Sequence, residues 1–190
     1  MGRFYIVFLI LIFSATGLVY ALQSGWYPLA LVNAQLVWQW QFEQEYSSAQ
    51  QYYNQAIETY EIPDLTEEKI KELKEDLERA TLDKIIEKLI VAEGFNAFTG
   101  DDGGQLVLDK VDKYLENPKL EAAAVSLFNL EFPDFVDLIL IPQAEKEILQ
   151  EKLNEESRDF DNWLKNKKNQ AKVHLFSSTF HWTGEAIERQ

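Results

Sequence analysis

The sequence has no cysteine. That excludes disulfides, thiolate-bound zinc and thiol nucleophiles together, and leaves the redox compartment open. Positive charge is scarce: 18 Lys and Arg stand against 32 Asp and Glu, a formal net charge of −14. A phosphate backbone needs clustered cations, so the composition argues against nucleic acid as a partner. It argues equally against attraction to anionic lipid. There are two histidines, His174 and His181, seven apart on an alternating segment. On a strand that spacing puts them on opposite faces, which is no arrangement for a shared metal.

Reactive motifs are missing as well. The serines, among them Ser47, Ser48, Ser177 and Ser178, have no elbow glycines and no local base. The loop Thr99–Gly104, TGDDGG, lacks the alternating ligands and closing glutamate of a calcium site. Its acidic pair would repel a phosphate. No catalytic residue, metal or cofactor is expected, and the chain reads as a non-enzyme.

Charge of either sign is absent between Arg3 and Glu43. Within this stretch Phe4 to Leu22, FYIVFLILIFSATGLVYAL, is nineteen uncharged residues. As a helix it would reach roughly 28 Å, close to the hydrocarbon thickness of a bilayer. With Arg3 ahead of it, the positive-inside rule keeps the amino end in the cytoplasm and sends the rest across. Residues 1–22 are thus expected to be a transmembrane anchor, with 23–27 a linker whose Trp26 and Tyr27 suit an interfacial aromatic belt. The alternative is a cleaved signal peptide with Val19-Tyr20-Ala21 as its cleavage site. Both readings export the main domain.

The remaining length suits one domain with a real core. Pro28–Val37 reads as two short apolar runs about Asn33-Ala34, a hairpin signal. From Trp38 to Tyr60 the period turns helical, with Trp38, Phe42, Ala49, Tyr53, Ala56 and Tyr60 on one face and a stop at Pro63. Asp64 or Thr66 caps a second helix running to about Phe98, with Ile70, Leu73, Leu77, Ile85, Leu89 and Ile90 as its stripe. A short helix over Gln105–Leu115 turns Val107, Leu108, Val111 and Leu115 inward, and another spans Lys119–Phe128.

The widest apolar face belongs to Leu127–Leu153, with Phe135, Leu138, Ile139, Ile148, Leu149 and Leu153 at helical spacing. Pro142 removes a donor and crowds the carbonyl of Leu138, so a kink is expected there. A helix from about Phe160 docks Phe160, Trp163 and Leu164. Ala171–Trp182 alternates as a strand. It needs a partner, and 29–37 is the only other strand-like segment. The two are expected to pair, joining the ends of a domain over 28–183 and leaving 184–190 as a tail.

Trp38, Phe42, Tyr53 and Tyr60 are core by spacing. Trp40, Tyr46 and Tyr52 fall off that stripe, and with Phe98 they are the expected lining of a groove for an apolar peptide. Packing against the chain's own helices is the simpler alternative.

The order VNAQLVW, a long aromatic helix, LDKIIEKLIVAEGF, QLVLDKVDKYL and LFNLEFPDFVDLILIPQAEKEILQEKL resembles the N-terminal chaperone domain of SurA-type foldases. Related domains occur in trigger factor and in membrane-anchored parvulin-class prolyl isomerases. The likeness covers about residues 28–155. Leu82, Ile85, Ile86, Leu89, Phe135, Pro142 and Leu153 occupy the family's places, and Ala34 stands where the family has Gly. Residues 154–190 are too few for a parvulin domain, so prolyl isomerase activity is not carried over. The resemblance implies a mainly α-helical domain with a small two- or three-stranded antiparallel sheet. It implies a membrane-anchored extracytoplasmic module that binds apolar segments of unfolded or exported polypeptides. The alternative is a non-catalytic adaptor docking one folded membrane partner.

Overall fold

The computed structural model describes Tyr20 and residues 23–59 and 66–190. The uncharged run 4–22, apart from Tyr20, and the stop at Pro63 lie outside the described residues. No helix among the described residues is long and apolar enough to cross a membrane.

The chain begins with a hairpin, β1 (Pro28–Val32) and β2 (Gln35–Trp38), followed by α1 (Gln39–Thr59) and α2 (Glu67–Thr99). A 3-10 turn (Gly100–Asp102) leads to α3 (Gly103–Leu115), α4 (Leu120–Phe128) and the short α5 (Phe132–Phe135). A π-turn (Val136–Leu140), α6 (Ile141–Glu155) and α7 (Phe160–Gln170) follow, then strands β3 (Val173–Leu175), β4 (Phe180–Trp182) and β5 (Ile187–Arg189). The fold is mainly helical with a small antiparallel sheet of order β2-β1-β3 and a separate β4-β5 hairpin.

The spine is α2, 33 residues long, or about 50 Å at the usual rise. Thr66 is its N-cap, accepting from the Lys69 N–H, and Glu67 and Glu68 sit favourably in its first turn. Its middle, Leu82, Ile85, Ile86 and Ile90, packs under the sheet against Ala30, Val32, Val37 and Ile187. Its end, Val91 and Phe95, enters a second core with Val107, Val111, Ala124, Phe135, Ile148, Leu149, Leu153, Phe160 and Trp163. Gly94 is required here, because a Cβ would lie 2.3 Å from the Trp163 indole. The early stripe is corrected: Ile70 is exposed, and Leu73 and Leu77 are only half-buried. Among the described residues few elements reach the first turns of α2, and its side chains from Thr66 to Glu72 are exposed.

The two ends of the domain do clasp, through Ala30–Leu175, Leu31–His174 and Val32–Val173 pairs. Asn33 pins the joint. It takes the left-handed conformation (φ 54°) that the tight turn needs. Its amide donates to Glu93 Oε2 at 2.6 Å and its carbonyl oxygen accepts from the Lys172 N–H at 3.0 Å.

Three further expectations change. Ala171–Trp182 is two strands: the chain bends at Ser178 and Thr179, where the Thr179 N–H donates to the Ser177 hydroxyl, and β4 then pairs with β5. Residues 184–190 are no free tail, since they carry β5, and Ile187 is fully buried against α2. On α3, Val107 and Val111 face inward, but Leu108 and Leu115 are exposed, and Tyr114 packs on the core instead. Positions 107 and 111 define the buried line; 108 lies a helical step away from it, and 115 is the last residue of the helix.

Candidate functional site

Pro142 lies in the first turn of α6, immediately after the π-turn. It has no N–H to offer the Leu138 carbonyl one turn back, and the helix accommodates the ring by widening instead of breaking. The freed carbonyl accepts from Lys88 Nζ at 2.9 Å. Lys88, on α2, also meets Glu45 Oε2 of α1 at 2.6 Å. One ammonium thus ties three elements together. Both side chains are largely shielded, at 19% exposure for Lys88 and 13% for Glu45. Burial pushes the Lys88 pKa below the ordinary lysine value, against the opposing pull of Glu45 and with a small push from Lys84.

Beyond this tie α1 meets the cores only with half-buried or exposed rings, Phe42 under the sheet and Tyr52 on Phe128. Ser48 is its one buried residue among those described. A cleft of about 400 Å³ opens between α1, α2, the end of α4 and the π-turn. Its walls are Ala49, Tyr52 and Tyr53 from α1, Leu77, Thr81 and Lys84 from α2, Phe128, and Leu138 and Ile139. Tyr52 stacks on Phe128 with centroids 5.4 Å apart, and Phe128 leans on Phe135 of the core. A smaller recess of about 130 Å³, running past Lys88 to Pro142 and Lys146, shares Lys84, Leu138 and Ile139 with it.

Of the four residues expected to line a groove, the structure brings one, Tyr52, to the cleft. Tyr46 stacks on Phe42 at 5.7 Å, and burial, with Glu78 nearby, raises its hydroxyl pKa. Trp40 sits exposed at the start of α1, beside Gly25. Phe98 is on the last turn of α2, packed on the larger core beneath the Arg158 guanidinium at 5.5 Å. These three do not converge with Tyr52, because helical phase spreads them around α1 and along α2.

Sequence reading missed Lys88, Glu45 and Ile139 as a group. The available signal was Pro142, since an interior proline orphans a carbonyl four residues back, and an orphan of this kind needs a donor. A second charged junction adjoins Lys88 on α2. There Lys168 of α7 meets Asp83 at 3.4 Å and Glu87 at 3.2 Å, and Lys146 of α6 meets Glu87 at 3.3 Å. Burial alone would raise the Glu87 pKa, but the two lysines outweigh it and hold the carboxyl below its ordinary value.

The site is therefore a solvent-open cleft, apolar along its floor, with one wall formed by a helix held through a shielded ion pair. No family model, curated protein or solved structure matches this chain.

Proposed function

We propose that this chain is a membrane-anchored, extracytoplasmic chaperone-like module of SurA N-terminal type that binds apolar segments of unfolded or exported polypeptides. The observation that carries the reading is the cleft between α1, α2 and the π-turn. It is walled by Tyr52, Tyr53, Leu77, Phe128, Leu138 and Ile139, and no described segment of the chain fills it. Stacked aromatic and aliphatic walls suit apolar side chains in many orientations and give little directional selection. A surplus of carboxylates keeps such a surface soluble and discourages self-association.

A second reading, an adaptor docking one folded partner, is favoured by the exposed Leu108, Leu115 and Val125 on α3 and α4. The test uses the full chain in nanodiscs. A holdase slows aggregation of several unrelated unfolded clients, and Ile139→Asp, which puts a charge on the cleft floor, removes that effect. Failure of the native chain to slow any client overturns the reading. A loss caused by Leu108→Asp and not by Ile139→Asp moves the function to the adaptor face.

A further inference from the structure

The outer face of the β2-β1-β3 sheet has no charged residue within its strands and is open at Leu36 and His174, with Lys172 just before β3. Leu31 is paired with Leu36 on one side and His174 on the other, so these three share a face. It is the face opposite to Ala30, Val32 and Val37, which are buried. Leu36 is 42% exposed. Phe176, just past β3, is 52% exposed and meets the His174 ring edge-on at 5.0 Å.

At the open end of the β1–β2 hairpin the Gln39 N–H donates to the Tyr27 carbonyl and the Trp40 N–H to the Gly25 carbonyl. This close approach needs Gly25, where a Cβ would lie 3.0 Å from the Trp40 nitrogen. It sets Trp26, 70% exposed, and Trp40, 44% exposed, at one corner. None of the three strands carries a charged residue, and none occurs between Arg3 and Glu43, in a chain with 32 acidic residues. The same corner is where the nineteen-residue uncharged run joins the domain, since Ser24 N–H and Oγ both donate to the Tyr20 carbonyl, at 2.9 and 2.6 Å.

We infer that this face, with Leu36, Phe176, Trp26 and Trp40 as its contacts, rests on the interface of a net-neutral bilayer. The inference rests on reading residues 4–22 as a retained anchor. Apolar and aromatic side chains on strands that carry no charged residue suit the headgroup boundary, where indoles place an apolar ring and a wet N–H together. The strands offer no cation to select anionic lipid. A tether that ends beside this face holds it within reach of the membrane at high effective concentration. Docking would fix the domain's orientation and hold Tyr52 and the cleft about 18 Å along α1 from Trp40.

Because the chain has no cysteine, a single introduced thiol is the sole labelling site. Leu36→Cys carrying a nitroxide is placed in the full chain in phosphatidylcholine vesicles. Its accessibility to oxygen and to a neutral nickel chelate is compared with that of Leu108→Cys, an exposed position on α3. Phe176→Cys repeats the measurement from the opposite edge of the sheet. The expected result is oxygen-favoured relaxation at 36 and 176, several-fold over 108, and nickel-favoured relaxation at 108. Nickel access at 36 and 176 equal to that at 108, in a chain that floats with the vesicles, overturns docking and leaves the anchor standing. Shielding from both reagents also overturns it, because a second copy or another protein then covers the face. A chain that does not float with the vesicles overturns the anchor and the docking together.

Discussion

Replacing Lys88 by methionine keeps most of the stem's packing and removes the ammonium that serves both Glu45 and the Leu138 carbonyl. Two groups lose their partner. The Leu138 carbonyl is orphaned by Pro142 within its own helix, and an unsatisfied shielded acceptor costs about 1 kcal/mol or slightly more. The Glu45 carboxylate, only 13% exposed, loses its counter-charge, which adds on the order of 1–2 kcal/mol. Breaking a fully buried pair costs about 3–5 kcal/mol, so a pair still partly wetted belongs below that range. The expected loss is about 2–3 kcal/mol, read as a lower urea midpoint with unchanged slope for the full chain in mild detergent. The double variant Glu45→Leu/Lys88→Met removes both charges and leaves only the carbonyl unpaired. It is expected within about 1 kcal/mol of the native chain and above the Lys88→Met single variant. A single variant within about 0.5 kcal/mol of native refutes the reasoning, because the pair would then behave as an ordinary surface contact. A double variant as unstable as the sum of its singles refutes it equally.

Gly94→Ala drives a methyl into the Trp163 ring and is expected to cost about 1–3 kcal/mol in thermal melts; Trp163→Phe in the same chain should recover part of the loss, and simple additivity would sink the steric account. Ile187→Ala empties a fully buried position between the sheet and α2, for an expected loss of about 2–4 kcal/mol by urea titration. A neutral result there would mean the final strand detaches freely. Glu87 has its folded pKa held below the unfolded value, so its contribution is complete above the ordinary carboxylate range and is lost as pH falls through the lower folded value. The stability gap between the native chain and Glu87→Gln should close on acidification below the ordinary carboxylate range; a gap independent of pH contradicts the assignment. Lys88 works in the opposite range. Its folded pKa is also depressed, so the unfolded chain binds more protons as pH approaches the ordinary lysine value, and native stability should gain on Lys88→Met as pH rises there.

The comparison between sequence and structure divides along locality. A cap at Thr66, one of two candidates with Asp64, Asn33 as a left-handed turn and the helix from Phe160 were legible because each depends on residues a few places away. The antiparallel joining of 30–32 to 173–175 was legible by elimination, since an apolar strand must find a partner and few segments could serve. Pro142 announced a disturbed helix, but its form depended on what lay alongside. A donor from α2 could take the Leu138 carbonyl, so the ladder widened by one turn and continued into α6.

The candidate site was less legible than the fold. Tyr52 was found because it falls off the buried stripe, but so do Trp40 and Tyr46, and helical phase alone cannot say which neighbour each one meets. Lys88 looked like part of a solvated charge run, which is what such residues usually are. By itself the sequence determined most of the helices, the Asn33 turn, the surplus of negative charge and the charge-free stretch before Glu43, all of which are properties of the chain read locally or in sum. Tertiary structure alone decided the cleft, the Lys88 tie, the burial of Ile187 and the bare outer face of the sheet. Each depends on contacts between segments far apart in the chain, and desolvation acts on those contacts only once the segments have met.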